Sequence, residues 1–225
     1  MRPGPRRSVS QVDIVDAAFE ILEQKGFAGV SVRGVAAALG LTPTAIYTYF
    51  PSKNALMRAM VEELLAGVDV AAASDSSSGW RDRVHALALA VRARLAEHAG
   101  AMVLVTSGPL DGPHALALGE ALIRLFVEAG LPVDDAARAA AAVKAHVLGV
   151  SALEAAERAG RVAETGAAEG AGRATSGPLW TDASRYPLTE ATAHLALAAG
   201  ADDEFAWGID RLLDGLVGTA AVGNT

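Results

Sequence analysis

The stretch from Ser31 to Lys53, SVRGVAAALGLTPTAIYTYFPSK, leaves the chain few options. Ser31 is an N-cap residue, whose hydroxyl accepts from the backbone N–H groups that open a helix. Val32 to Leu39 reads as that helix, and Gly40 stands where a left-handed residue ends it. Leu41 plugs the corner. Thr42 caps the next helix, and Pro43 takes its first position, where a missing N–H costs nothing. Thr44 to Phe50 supplies about two turns before Pro51 stops the run and Ser52 caps a third helix. Two short helices about a glycine-containing turn are the grammar of a helix-turn-helix.

The outer face of the second helix is unusual. Ile46 and Phe50 lie four apart and pack inward. Thr44, Ala45, Tyr47, Thr48 and Tyr49 are left pointing out, with no acid anywhere between Ser31 and Lys53. A solvated face ordinarily carries Glu and Lys. Hydroxyls instead bond phosphates or base edges, and small apolar groups touch a thymine methyl.

Charge agrees with that reading. Residues 1–60 hold seven Lys and Arg against four Asp and Glu, whereas residues 61–225 hold twelve against twenty-two. A basic head on an acidic body suits a chain that presents one end to a polyanion. There is no cysteine, so no disulfide framework, thiolate metal site or cysteine nucleophile, which fits a reducing cytoplasm. MRPGPRRSVS is basic but leads into an amphipathic stretch rather than the apolar core of a signal peptide. No apolar run reads as long enough to cross a membrane. No HExxH, nucleophile elbow or phosphate-binding glycine pattern appears, and His85, His98, His114, His146 and His194 are scattered. The residues therefore point away from an enzyme and from a resident metal or cofactor.

The run from Ser10 to Lys53 resembles the DNA-binding domain of TetR-type transcriptional regulators. The matching segments are ILEQKGF, the V-S-V-R-x-V-A-x-x-L-G-L helix, and T-x-x-x-I-Y-x-Y-F followed by P-S-K-x-x-L. YPLTEATAHLALAAGADDEFAWGIDRLLDGL, Tyr186 to Leu216, is similar to the C-terminal module of the tetracycline-repressor branch. The resemblance implies an all-α homodimer. A three-helix, homeodomain-like helix-turn-helix domain (residues 1–54, with 1–8 as a flexible arm) would precede a larger helical ligand-binding and dimerisation domain (residues 55–225). By resemblance, Tyr47 and Lys53 contact phosphates, Thr42, Pro43, Thr44, Ala45 and Thr48 face bases, and Arg33 is a further DNA contact; Tyr49 joins them from its outward position.

The rest of the chain reads as helix after helix. Ser10–Lys25 is the first, with Asp13 completing a weak capping box. Lys53 to about Ala73 is a long linking helix, and SDSSSG (Ser74 to Gly79) a loop. Trp80–His98, Ala101–Thr106, Pro113–Ala129, Ala-rich Pro132–Arg158, Leu188–Ala199 and Asp202–Thr219 follow. Gly160 to Pro187 loses periodicity and reads as a mobile loop.

The body is expected to enclose a small-molecule cavity lined by Leu87, Val91, Leu104, Ser107, Leu122, Phe126, Ala140, Val143, His146 and Val147, with Asp69 a further polar contact. The resembling branch chelates a magnesium–drug complex. Its histidine position falls here at Leu104 or Val105, its threonine at Ser107 or Thr106, its acid at Leu153, with Glu154 one residue late, and two further polar contacts at Asp69 and Leu87. Most of those contacts are missing, so the expected effector is apolar or aromatic and needs no metal. Ala139 and Val150 on the Ala-rich helix, with Ile209, Leu212, Leu213 and Leu216 on the last, are the expected homodimer seam, a four-helix bundle across a two-fold axis. The function implied is a regulator, read as a repressor, released from a palindromic double-stranded operator by the effector. The alternative is a ligand-independent DNA- or partner-binding protein whose body is filled solid by side chains.

Overall fold

The computed structural model describes residues 9–75, 77–98, 100–168, 185–198 and 201–218, and among these it contains eleven helices and no strand. They are α1 (Gln11–Gly29), α2 (Val32–Ala38), α3 (Pro43–Tyr47), α4 (Lys53–Ala66), α5 (Ala71–Ser74), α6 (Trp80–Ala96), α7 (Ala101–Ser107), α8 (Pro113–Glu128), α9 (Val133–Ala168), α10 (Pro187–Ala198) and α11 (Ala201–Gly218). The expected arm, residues 1–8, and residues 169–184 of the expected loop lie outside the described residues. The chain divides into two compact units, Met1–Ser151 and Ala152–Thr225.

In the first unit, α1 begins with a capping box. Asp13 N–H donates to Ser10 Oγ (3.1 Å) and Ser10 N–H to Asp13 Oδ2 (2.7 Å), which satisfies two N–H groups that a bare helix end leaves open. Gly26, at φ 67°, breaks the helix as expected, but a further turn follows it to Gly29. Ile14, Ala18, Leu22, Val35, Ile46, Leu56 and Met60 then close one core under α1–α4. α3 is too short to be stable alone; Ile46 and Phe50, both buried, hold it down.

Three expected boundaries move. The second helix of the motif ends at Tyr47 rather than Phe50, because Thr48 and Tyr49 N–H turn back to Ala45 and Ile46 carbonyls three residues away, the tighter 3₁₀ pattern. The linking helix ends at Ala66 rather than Ala73. Arg94 Nε donates to the Leu64 carbonyl at 2.9 Å, and the Val68 N–H instead bonds Leu65 three residues back. A guanidinium at a helix C-terminus also meets the negative end of its dipole. Conversely α9 runs through Gly160 to Ala168, ten residues past the expected end at Arg158. A mid-helix glycine costs only about 1 kcal/mol, and strong helix formers flank it.

Residues Val133–Gly160 of α9 are also long and apolar enough to pass as a membrane span, with an 18-residue stretch of mean hydropathy 1.3, against the expectation from sequence. Ala136, Ala139, Val143 and Val147 of this helix are buried inside the protein, and Asp134, Asp135 and Arg138 stud its exposed first turns. In the second unit, Phe205, Ile209 and Leu213 of α11 are buried while Trp207 is 64% exposed.

Candidate DNA-binding and effector sites

The recognition surface is built from caps. Ser31 Oγ accepts from Gly34 N–H (3.0 Å), Thr42 Oγ1 from Ala45 N–H (3.2 Å) and Ser52 Oγ from Ala55 N–H (3.1 Å), so each start of α2, α3 and α4 is pinned. Gly40 takes φ +64° between α2 and α3, a conformation that a Cβ would strain. On this frame Arg33, Thr42, Pro43, Thr44, Tyr47, Thr48 and Lys53 are exposed and Ala45 is half-buried. Tyr47 keeps half its surface in solvent. Thr48 Oγ1 donates to the Ala45 carbonyl at 2.6 Å, which leaves its lone pairs outward. Lys53, at the first position of α4, holds its ammonium 5.6 Å from the Phe27 ring centre, an attraction that steadies a long side chain without removing its charge.

Tyr49 differs from expectation. It is half-buried, and its hydroxyl donates to the Val9 carbonyl at 2.8 Å. The phenol is committed to tying α3 to the segment before α1, so it is not an outward phosphate donor. The period of a full helix put Tyr49 outside; the 3₁₀ turn rotates it inward.

A cavity of about 200 Å³ lies in the first unit. Its walls come from Leu65 of α4; Leu87, Ala88 and Val91 of α6; Val105 of α7; Leu110; Ala115, Leu118, Gly119, Leu122 and Ile123 of α8; and Ala137, Ala140, Ala141, Val143, Lys144, Val147 and Leu148 of α9. Of the expected residues, Leu87, Val91, Leu122, Ala140, Val143 and Val147 meet there. Leu104 and Phe126 are buried elsewhere in the core, Phe126 with its ring 6.1 Å from that of Trp80. Asp69 is exposed, and its Oδ1 accepts from Ala71 N–H (2.8 Å) at the start of α5. Ser107 lines a separate polar cleft with Phe27, Lys53 and Arg58. His146 sits two residues from Lys144, some 200° round α9. The three polar anchors expected from sequence are thus absent from the walls, and Lys144 is there instead. Its signal was in the sequence: Ala137, Ala140, Ala141, Lys144, Val147 and Leu148 fall at three- and four-residue steps on one stripe.

Magnesium does not fit these walls. A hard cation wants several oxygen ligands, and the lining offers carbon and one amine. Leu104 and Val105 are buried hydrocarbon and Leu153 is exposed. Among the described residues no three His, Asp or Glu side chains come together as a metal cluster.

The cavity is tied to α4 at three points. Glu62 accepts from the His114 and Ala115 N–H groups that open α8. Arg58 makes a paired hydrogen bond to both carboxylate oxygens of Asp111, at 2.8 and 3.0 Å, and Arg94 of α6 grips the Leu64 carbonyl. At Gly112 a Cβ would fall 2.2 Å from Glu62 Cδ, so a larger residue there would push the carboxylate from its present seat. None of these ties was legible beforehand.

The expected dimer residues separate into two groups. Ala139, Ile209 and Leu213 are covered by their own chain, and at under 2% exposure have no surface left for a partner. Val150, Leu212 and Leu216 are half-buried.

Residues 14–60 match the bacterial regulatory proteins of the tetR family, and residues 73–219 the tetracyclin repressor-like C-terminal domain. The chain belongs to the TetR family. It is 29% identical to the class A tetracycline repressor of transposon 1721 from Escherichia coli over 204 residues, 90% of this chain and 88% of that one. It is 28% identical to the transcriptional repressor DrrR1 of Streptomyces coeruleorubidus over 216 residues, 95% and 79% of the two chains. A possible TetR family regulator from Streptomyces coelicolor A3(2) superposes with a TM-score of 0.76 at 28% identity, covering 93% of this chain and all of that one. The TetR match spans both the helix-turn-helix and the helical body, so this is a DNA-binding transcriptional regulator, all-α, with an N-terminal helix-turn-helix domain.

Proposed function

We propose that the protein is a homodimeric, cytoplasmic, non-enzymatic repressor. It binds a palindromic double-stranded operator through α3 and its flanks, and a small apolar effector in the α6–α8–α9 cavity releases it. The functional division falls near residue 54, with the DNA head before it and the effector and dimer body after it. One observation carries the reading: α4 belongs to both sites. Lys53 at its first position borders the recognition surface, and Leu65, ~18 Å along the same helix, lines the cavity. A body filled solid by side chains would leave no such space, which favours effector control over a ligand-independent role.

The mechanism is a coupling between two sites. An effector releases DNA only to the extent that it prefers the conformation whose heads are wrongly set for the operator. Swelling the cavity pushes on α8 and α6. Glu62, Arg58 and Arg94 hand that displacement to α4, and α4 turns the head. Half-buried Leu212 and Leu216 of α11 supply apolar surface for the second subunit, and Val150 of α9 supplies more. Gel shift of operator fragments from the protein's own promoter, titrated with aromatic and aliphatic candidate effectors, tests the reading. Effector-dependent release supports it. Operator binding that no effector alters, in a protein that also binds none of them, would return the ligand-independent reading.

A further inference from the structure

The cavity wall is hydrocarbon except at one place. Every lining side chain is Ala, Gly, Val, Leu or Ile apart from Lys144. Lys144 shares the α9 stripe with Ala137, Ala140, Ala141, Val147 and Leu148, so its stem joins the wall while its exposed end reaches solvent at the rim. Among the described residues no carboxylate pairs with it, although Arg58, Arg83, Arg94, Arg124 and Arg138 all have acidic partners. A cation at the mouth of an apolar hole selects by charge. A cationic ligand is repelled, a neutral one gains only burial, and an anion gains both.

We infer that the effector is an amphipathic organic anion: a ring-sized apolar body seated in the cavity, with a carboxylate or sulfonate meeting the Lys144 ammonium at its mouth. The inference rests on the reading of this cavity as the effector site and names the class of molecule it takes. Size agrees with the class. An apolar cavity of about 150 Å³ holds one benzene ring, so about 200 Å³ takes a body of one to two rings with its polar group at the opening.

The test is calorimetric titration of the full chain at low ionic strength with 2-naphthoate and its neutral isostere 2-naphthamide. The wild type is expected to bind the acid about five-fold more tightly than the amide, the upper range for a solvent-touched ion pair, with the ratio shrinking as salt rises. Lys144→Met keeps the stem and removes the charge, and should bring the two affinities together. Ala140→Phe, or Leu122→Trp should the first fail to fold, fills the cavity and should abolish both. If both probes bind and are blocked by the filled variants, yet Lys144→Met leaves their ratio unchanged, the anionic anchor is wrong and the cavity stands. If neither probe binds, or if both bind unaffected by the filled variants, the cavity reading fails and the inference goes with it.

Discussion

Glu62 on α4 holds the first turn of α8. Its carboxylate accepts from the His114 N–H at 2.7 Å and the Ala115 N–H at 3.3 Å, and meets His114 Nδ1 at 3.0 Å. Open N–H groups and a positive dipole end make this a favourable seat for an anion. The cap comes from another helix 52 residues away in sequence, so it joins stability to signal. Glu62→Ala should cost about 1 kcal/mol, as lost caps do, and lower the melting temperature by about 2–4 °C. Operator affinity without effector should hold while the effector concentration needed for release rises. A variant that melts and releases like the wild type would show that the cap carries neither role.

Tyr47→Ala and Lys53→Ala should each weaken operator binding with the helical circular dichroism unchanged. Removing one phosphate contact flattens the plot of log affinity against log salt by about one unit. Tyr49→Phe should instead leave that slope alone and loosen the start of α1, since its hydroxyl serves Val9. A lost slope in the Tyr49 variant would reverse the assignment.

Leu216→Glu or Leu212→Glu should convert the proposed dimer to monomer in sedimentation, because each would set a charge in an apolar seam that cannot solvate it. Ile209→Glu should instead unfold the protein, as Ile209 is wholly buried in its own chain. A soluble dimer from Leu216→Glu would exclude this face of α11 as the interface.

Effector release should survive a chelator. The side chains of the cavity walls carry no oxygen ligand for a cation, so EDTA should leave the gel-shift midpoint where it is. Loss of release with EDTA and rescue by Mg²⁺ would require a metal site built from other residues.

The Arg58 hydrogen bonds, with its charge, hold the Asp111 carboxyl below the ordinary aspartate range. The folded state therefore binds that proton less readily than the unfolded chain. The resulting stability is fully present above the unfolded value and fades as pH falls through the lower, folded one. Asp111→Asn should accordingly be less stable than the wild type at neutral pH by a margin that shrinks in acid, as read by urea unfolding across that range. A margin independent of pH would dissociate Asp111 from the acid response.

Local chemistry determined the head and most helix positions. Ser31, Thr42 and Ser52 as caps, Pro43 at a first turn and Gly40 at a left-handed end act over three or four residues, so SVRGVAAALGLTPTAIYTYFPSK was readable as a helix-turn-helix without a structure. The same holds for the apolar stripes of α6, α8 and α9, where six of the eight expected cavity residues do meet. Tertiary structure decided what local periodicity cannot carry. Tyr49, turned inward by its 3₁₀ turn, is held there by the carbonyl of Val9, forty residues earlier. The linking helix stops at Ala66 because Arg94, thirty residues later, takes the Leu64 carbonyl. Ala139, Ile209 and Leu213 look like any seam residue in a heptad, and only the packing of their own chain buries them. Lys144 shows the same limit from the other side: its place on the stripe was in the sequence, but its standing as the one charge on a hydrocarbon wall depended on where Asp69, Ser107 and His146 went. Caps and periodicity are short-range and survive in the sequence; the partner of a hydrogen bond between distant helices is fixed by the geometry that packing alone creates.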